Sequence, residues 1–153
     1  AVLRTMPNTP ALVRQGVSAL CGAPGTGDDD LAWAESILGA VGLVVRVAES
    51  QIDAVTGLTG SGPAYVFLVA EALIAAAVAE GLEPDMAARV VRQLLLGSAT
   101  LLDREGDPTR LREMVTSPNG TTAAGLAALA EHDLRGAVGA AVRAATQRSR
   151  ELG

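Results

Sequence analysis

The spacing of hydrophobic and polar positions changes once along this chain, near residue 48. Before it, short apolar runs alternate with a helix-like segment; after it, nearly every apolar run recurs at helical spacing. Strands are predicted over 2–5, 17–21 and 43–47, the last rich in β-branched residues. Between the first two, Asn8 or Thr9 caps a short helix that Pro10 opens and Gly16 stops. Residues 22–27 form a Gly/Pro-rich turn. Asp28, Asp29 and Asp30 then suit a helix N-terminus, where negative charge complements the dipole. That helix is predicted to reach about Val41, with Leu31, Ala34, Ile37 and Leu38 inward and Gly42 at its end. Three strands with intervening helices read as the trailing half of an α/β sheet.

From Glu49 onward the pattern is helical. A short helix over 49–58 is expected to end in Thr-Gly-Ser-Gly-Pro at 59–63. Pro63 then stands near the start of a long helix reaching Glu80, with Gly81 as its C-terminal stop. Residues 65–79 are apolar apart from Glu71. That run is shorter than the roughly 18–20 uncharged residues of a membrane span, and Glu71 makes insertion worse. A helix apolar on nearly every face is expected to be buried on every face. One small domain cannot surround it, so a second copy of the chain is expected to. The next helix starts at Pro84 and Asp85 and runs to about Glu105, with Ala87, Val90, Val91, Leu94 and Leu95 inward. Gly106-Asp107-Pro108 breaks it. Helices follow over 108–115, 122–131 and 134–152, the last burying Ala137, Val138, Ala141, Val142 and Ala145. The fold class is therefore mainly α, with a domain over 49–153 preceded by a small α/β part over 1–48.

Composition narrows the classes of function. With 153 residues, there is material for one domain, or one domain plus part of another. Trp33, Tyr65 and Phe67 are the only aromatics, so the core must come from Ala, Val and Leu. There is no Lys, which excludes Schiff-base chemistry from within this chain. A net charge of -5 and a pI near 4.8 argue against nucleic acid and anionic membranes as partners. Cys21 stands alone, so a reducing, cytoplasmic compartment is expected. The sequence opens Ala-Val-Leu-Arg-Thr-Met, as a strand already inside a fold, and is expected to be part of a longer protein.

Few residues can carry chemistry. His132 has Glu131 and Asp133 beside it, but adjacent residues do not face one another on a helix, so a surface or helix-end role is expected rather than a metal site. Cys21 lies on a strand with no basic neighbour in sequence and reads as a small buried residue. Gly60-Ser61-Gly62 lacks the Gly-Lys-Ser/Thr of a phosphate loop and reads as a close backbone approach. Two clusters of hydroxyls and amides remain, at 6–10 and 116–122. In the second, Ser117 is held extended by Pro118, Gly120 permits a backbone geometry that a side chain would block, and Thr121 or Thr122 can cap the following helix. Hydroxyls with free N–H groups at a helix start suit a small anion such as a carboxylate. Neither cluster contains a redox centre or a strong nucleophile, so an enzyme built on them needs a cofactor.

Four segments, in order, resemble pyrroline-5-carboxylate reductase: Arg-Thr-Met-Pro-Asn-Thr-Pro at 4–10, Asp-Ala-Val-Thr-Gly-Leu-Thr-Gly-Ser-Gly-Pro-Ala-Tyr at 53–65, Val-Thr-Ser-Pro-Asn-Gly-Thr-Thr at 115–122, and Arg-Ser-Arg-Glu-Leu at 148–152. The resemblance implies an N-terminal Rossmann domain followed by a helical dimerisation domain. It also implies reduction of 1-pyrroline-5-carboxylate to L-proline with NADPH or NADH, the last step of proline biosynthesis, by a homodimer that can assemble further. Carried over by position, Ser117, Asn119, Gly120, Thr121 and Thr122 would hold the substrate, with Thr122 bonded to the ring nitrogen as the catalytic residue. Met6, Pro7, Asn8 and Thr9 match the turn near the nicotinamide end of the cofactor. Where the family usually has Gly-Gly after the Pro, this chain has Asn119-Gly120. Asn tolerates positive φ, so the loop is expected to keep its shape. The sequence contains no Gly-x-Gly-x-x-Gly, and roughly the first hundred residues of such an enzyme have no counterpart in it, so the chain is expected to be inactive alone. Two rivals remain. One is a helical dimerisation module without catalysis. The other is a β-hydroxyacid-type reductase, whose usual catalytic Lys this chain does not have.

Overall fold

The run Gly-Val-Ser-Ala-Leu-Cys-Gly at 16–22 has small or apolar side chains on both faces of an extended strand. In the computed structural model, which describes residues 1–153, it is the middle strand of a three-stranded sheet. Strand β1 is Leu3–Met6, β2 is Gly16–Gly22 and β3 is Gly42–Arg46. β1 pairs antiparallel to β2, with Leu3 opposite Gly22 and Met6 opposite Ala19. β3 pairs parallel to β2, with Gly16 opposite Gly42 and Leu20 opposite Arg46. Helix α1, Asp28–Leu38, makes the crossover between the parallel strands and lies against both. Strands pair with both edges of β2, α1 lies against it, and Ile52 packs with Ala19 and Cys21, so Ser18, Ala19, Leu20 and Cys21 are all buried.

The chain forms two compact units. The first comprises Ala1–Tyr65 with Val138–Gly153, the second Val66–Ala137. In the first, Ala19, Cys21 and Ile52 form a core joined by Met6, Val45, Val47 and Val55. Arg46 draws α1 down onto β3 by donating to both carboxylate oxygens of Glu35, at 2.6 and 2.9 Å, and to Asp28 at 3.1 Å. This pairing holds Glu35 below the usual carboxylate range, chiefly through the bond from Arg46. Arg4 pairs with Glu49, which also accepts from the Cys21 thiol at 3.0 Å. Burial, then the bond to Glu49, pushes the Cys21 thiol up. The bonds from Cys21 and Arg4 pull Glu49 down.

Several expectations need correction. The short helix after Pro10 is a 3-10 turn, Thr9–Val13. It stops at Arg14, which has φ 60, and Gly16 already belongs to β2. Ile37 is 53% exposed, because only the stripe through Leu31, Ala34 and Leu38 reaches the narrow sheet. The predicted break at 59–63 does not occur. Helix α2, Ile52–Val55, passes through a π turn, Thr56–Gly60, almost directly into α3, Gly62–Ala79. A π turn absorbs the extra residue without ending the helix. The helical stretch Glu49–Ala79 is thereby 31 residues long, and by length and composition it could cross a membrane.

In the second unit, α3 ends with Gly81 at φ 98, where Leu82 and Gly81 donate to Ala77 and Val78 and close the last turn. Helix α4 is Pro84–Glu105, α5 Pro108–Met114 and α6 Thr121–Glu131; α7, Leu134–Leu152, begins in this unit and from Val138 onward belongs to the first. Glu83 caps α4 and Asp107 caps α5. Ala87 and Val91 are buried on α4, but Val90 and Leu94 are about half exposed. In the single chain Val66, Phe67, Leu68 and Val69 are open to solvent, as expected of an apolar run that one small domain cannot surround. On α7, Ala141, Val142 and Ala145 are half-buried, whereas Ala137 and Val138 are exposed. These apolar side chains lie on faces that the chain alone does not cover.

Candidate functional site

Helix α5 ends at Met114, and the Thr116 hydroxyl folds back to the Arg112 carbonyl. Ser117, Pro118, Asn119 and Gly120 then make a β-turn closed by Gly120 N–H donating to Ser117 O at 3.1 Å. A type II turn favours Pro at its second position and requires a positive φ at its third. Asn119 meets the second of these at φ 57, as its tolerance of positive φ led one to expect. Gly120 has φ -81, so the turn does not need it for backbone freedom. It is needed for space: a Cβ there would collide with the Ser117 hydroxyl oxygen.

Gly120 is the residue that precedes α6, in extended conformation and with no side-chain cap. Thr121 and Thr122 therefore stand inside the first turn and do not cap it, contrary to the sequence expectation. The first intrahelical bond is Ala124 N–H to Gly120 O at 3.2 Å. The N–H groups of Thr121, Thr122 and Ala123 remain free at the positive end of an 11-residue helix. Ser117 and Thr121 are exposed and Thr122 half-buried, and no protein group engages their hydroxyls. Ala123 is absent from the residues singled out by sequence. Counting three N–H groups from the cap would have found it. Such a turn can hold a carboxylate and offer a hydroxyl to an adjacent polar atom.

The 6–9 turn belongs to the other unit. Met6 ends β1 half-buried in the sheet core, while Pro7 and Thr9 are exposed. Asn8 is half-buried and spends its amide on the protein. Its Oδ1 accepts from Val17 N–H at 2.8 Å, and its Nδ2 donates to Thr59 O at 3.0 Å. The exposed rim of Pro7 and Thr9 can flank a planar ring. No glycine-rich diphosphate cradle accompanies it.

The 53–65 and 148–152 segments come together in the first unit. Ser149 donates to Asp53 at 2.7 Å across 96 positions of sequence. Gly57 lets α7 approach, since a Cβ there would come 2.7 Å from Thr146 N. Tyr65 Oη lies 3.3 Å from Gly57 O and 3.4 Å from Ala141 O. His132 is an exposed residue at the end of α6, and no cluster of three or more His, Cys, Asp or Glu could hold a metal.

Comparison with known proteins agrees with these segments. The family model described as pyrroline-5-carboxylate reductase dimerisation matches residues 49–152. A pyrroline-5-carboxylate reductase of Synechocystis is 47% identical over all of this chain and 58% of its own length. One from Arabidopsis thaliana is 44% identical over 98% of the chain and 55% of its own. The solved Coxiella burnetii pyrroline-5-carboxylate reductase superposes with a TM-score of 0.94 at 42% identity, covering 99% of this chain and 57% of that one. The Plasmodium falciparum pyrroline carboxylate reductase, solved with NADP bound, gives 0.92 at 32% identity, covering 100% and 63%. The chain thus spans little more than half the length of the curated relatives it matches.

Proposed function

The chain belongs to the pyrroline-5-carboxylate reductase family, and from that premise we propose that it is the substrate-holding and dimer-forming part of an enzyme reducing 1-pyrroline-5-carboxylate to L-proline. The observation that carries this reading is the uncapped start of α6, with the free N–H groups of Thr121, Thr122 and Ala123 and the unengaged hydroxyls of Ser117, Thr121 and Thr122. In this reading the substrate carboxylate accepts from those N–H groups and from Ser117. The Thr122 hydroxyl accepts from the N–H of the protonated imine, and hydride addition to the carbon of that C=N bond moves its π pair onto nitrogen and leaves the N–H in place. The electrophile is already present in the substrate, so the protein's task is orientation and anion binding. NADPH or NADH, when bound, supplies the hydride. The exposed Pro7 and Thr9 would flank the nicotinamide end, and the NADP in the Plasmodium falciparum structure supports that cofactor class.

The exposed apolar side chains of α3, together with the dimerisation family match, support a homodimer with a second copy as partner. Assembly of such dimers into a higher oligomer is part of the same proposal, as is a reducing, cytoplasmic setting for the unpaired Cys21. The test is an assay of the complete gene product with 1-pyrroline-5-carboxylate and NADPH or NADH, beside the 153-residue chain alone. Proline should form with the complete product only. The 153-residue chain should show no saturable nucleotide binding, since it has no Gly-x-Gly-x-x-Gly. A complete product that dimerises without reducing the imine would instead support the non-catalytic dimerisation module.

A further inference from the structure

The polar residue of the 6–9 turn with the most obvious binding capacity is Asn8, yet its amide is already engaged in two directions. One bond reaches the N–H of Val17 near the start of β2, and the other reaches the Thr59 carbonyl inside the π turn. That carbonyl is available because its partner in the helical ladder would be Pro63, which has no N–H, while the Ala64 N–H donates to Ser61 O. The next residue, Gly60, lies directly against Met6, where an added Cβ would come 2.6 Å from the Met6 methyl carbon. The π turn is fixed from behind in its turn. The Thr56 and Thr59 hydroxyls bond back to Ile52 O and Val55 O, and Gly57 abuts α7 at Thr146.

We propose that Asn8 is a positioning residue: its amide clamps the 6–9 turn onto the π turn Thr56–Gly60, and Gly60 sets where the Met6 side chain lies. The proposal rests on the reductase reading for its kinetic consequence. The π turn then acts as the seat of the turn that flanks the nicotinamide end, and two widely separated sequence segments share one task. Asn8 acts through the backbone of its own turn and contributes little direct affinity for the nucleotide.

Two variants test this in the complete gene product. Asn8→Asp keeps the oxygen that accepts from Val17 but turns an acceptor towards the Thr59 carbonyl. Gly60→Ala touches no proposed ligand and forces the flexible end of Met6 to move. Misplacing the reacting ring should lower kcat by about tenfold in each variant, with KM for the nucleotide within about twofold of wild type. The double variant should be no slower than the slower single one. In methyl NMR of methionine-labelled protein, the Met6 resonance, assigned through Met6→Leu, should shift in both variants. If Asn8→Asp raises nucleotide KM at unchanged kcat, Asn8 is a ligand and the proposal is wrong. An unmoved Met6 methyl in Asn8→Asp, or wild-type kinetics in Gly60→Ala, also overturns it. Should Asn8→Asp not fold, Gly60→Ala decides alone. If wild type reduces no imine, the reductase reading fails by itself, and the methyl shifts still decide whether the clamp exists.

Discussion

The Ser117 hydroxyl occupies the space that a Cβ on Gly120 would need, while the Ser117 carbonyl accepts from the Gly120 N–H at 3.1 Å. The two residues thereby fix the mouth of α6 together. Gly120→Ala should turn the Ser117 hydroxyl away from that mouth at little cost in folding, because a hydroxymethyl group can rotate. A hydrogen bond to a charged group contributes about 1.5–3 kcal/mol, so KM for the imine should rise about tenfold or more. Ser117→Ala should do the same, and the double variant should be no worse than either. Steady-state kinetics on the three variants check this, and a wild-type KM in Gly120→Ala would sink it.

Thr122 caps nothing, so its removal should spare stability. Ala is the better helix former by up to about 0.7 kcal/mol, and Thr122→Ala should melt within a degree or two of wild type or slightly above it. Turnover in the complete gene product should nevertheless fall, with Thr122→Ser restoring most of it. Thermal melts and kinetics on the same preparations decide the matter. A variant that loses stability but keeps turnover would reduce Thr122 to a packing residue.

Leu68 is 64% exposed in the single chain, so a charge there does not have to enter the protomer's own core. Leu68→Arg should leave helix content unchanged but place a cation in the expected interface between copies. Burying one such Leu contributes roughly 1.5–3 kcal/mol, and an unpaired charge in its place costs more. Sedimentation should show a homodimer for the unmodified protein and monomer or aggregate for the variant. A variant that sediments as wild type would place the interface elsewhere.

Acid should weaken the first unit through two carboxylates. Glu35 and Glu49 both titrate below the ordinary value of 4.5, held down chiefly by the bond from Arg46 and by that from Cys21 respectively. For a lowered folded value, the stabilisation is complete above 4.5 and is lost as pH falls through the folded value. Melting temperatures of wild type should therefore drop more steeply below that pH than those of Glu35→Gln/Glu49→Gln. Parallel curves would show that the two pairs contribute nothing to acid sensitivity.

The sequence by itself determined the elements that depend on local chemistry. Pro84 and Glu105 bound α4 as expected because Pro, an acidic cap and a following Gly act on their own neighbours. The helix over 134–152 and the turn at Asn119 were legible for the same reason. The hydroxyl-rich 116–122 loop and the four family segments were also readable, since they lie in contiguous residues. Tertiary structure alone decided what depends on distant partners. Thr-Gly-Ser-Gly-Pro at 59–63 reads as a helix end, yet Thr59 O is taken up by Asn8, Gly57 and Gly60 leave room for α7 and Met6, and the chain continues through a π turn. Asn8 reads as a ligand until its two protein partners, 9 and 51 positions away, are seen. Periodicity likewise marks Val90, Leu94, Ala137 and Val138 as apolar but cannot say what covers them. Hydrophobicity is a property of the residue, whereas burial requires a surface supplied by other parts of the chain or by another chain.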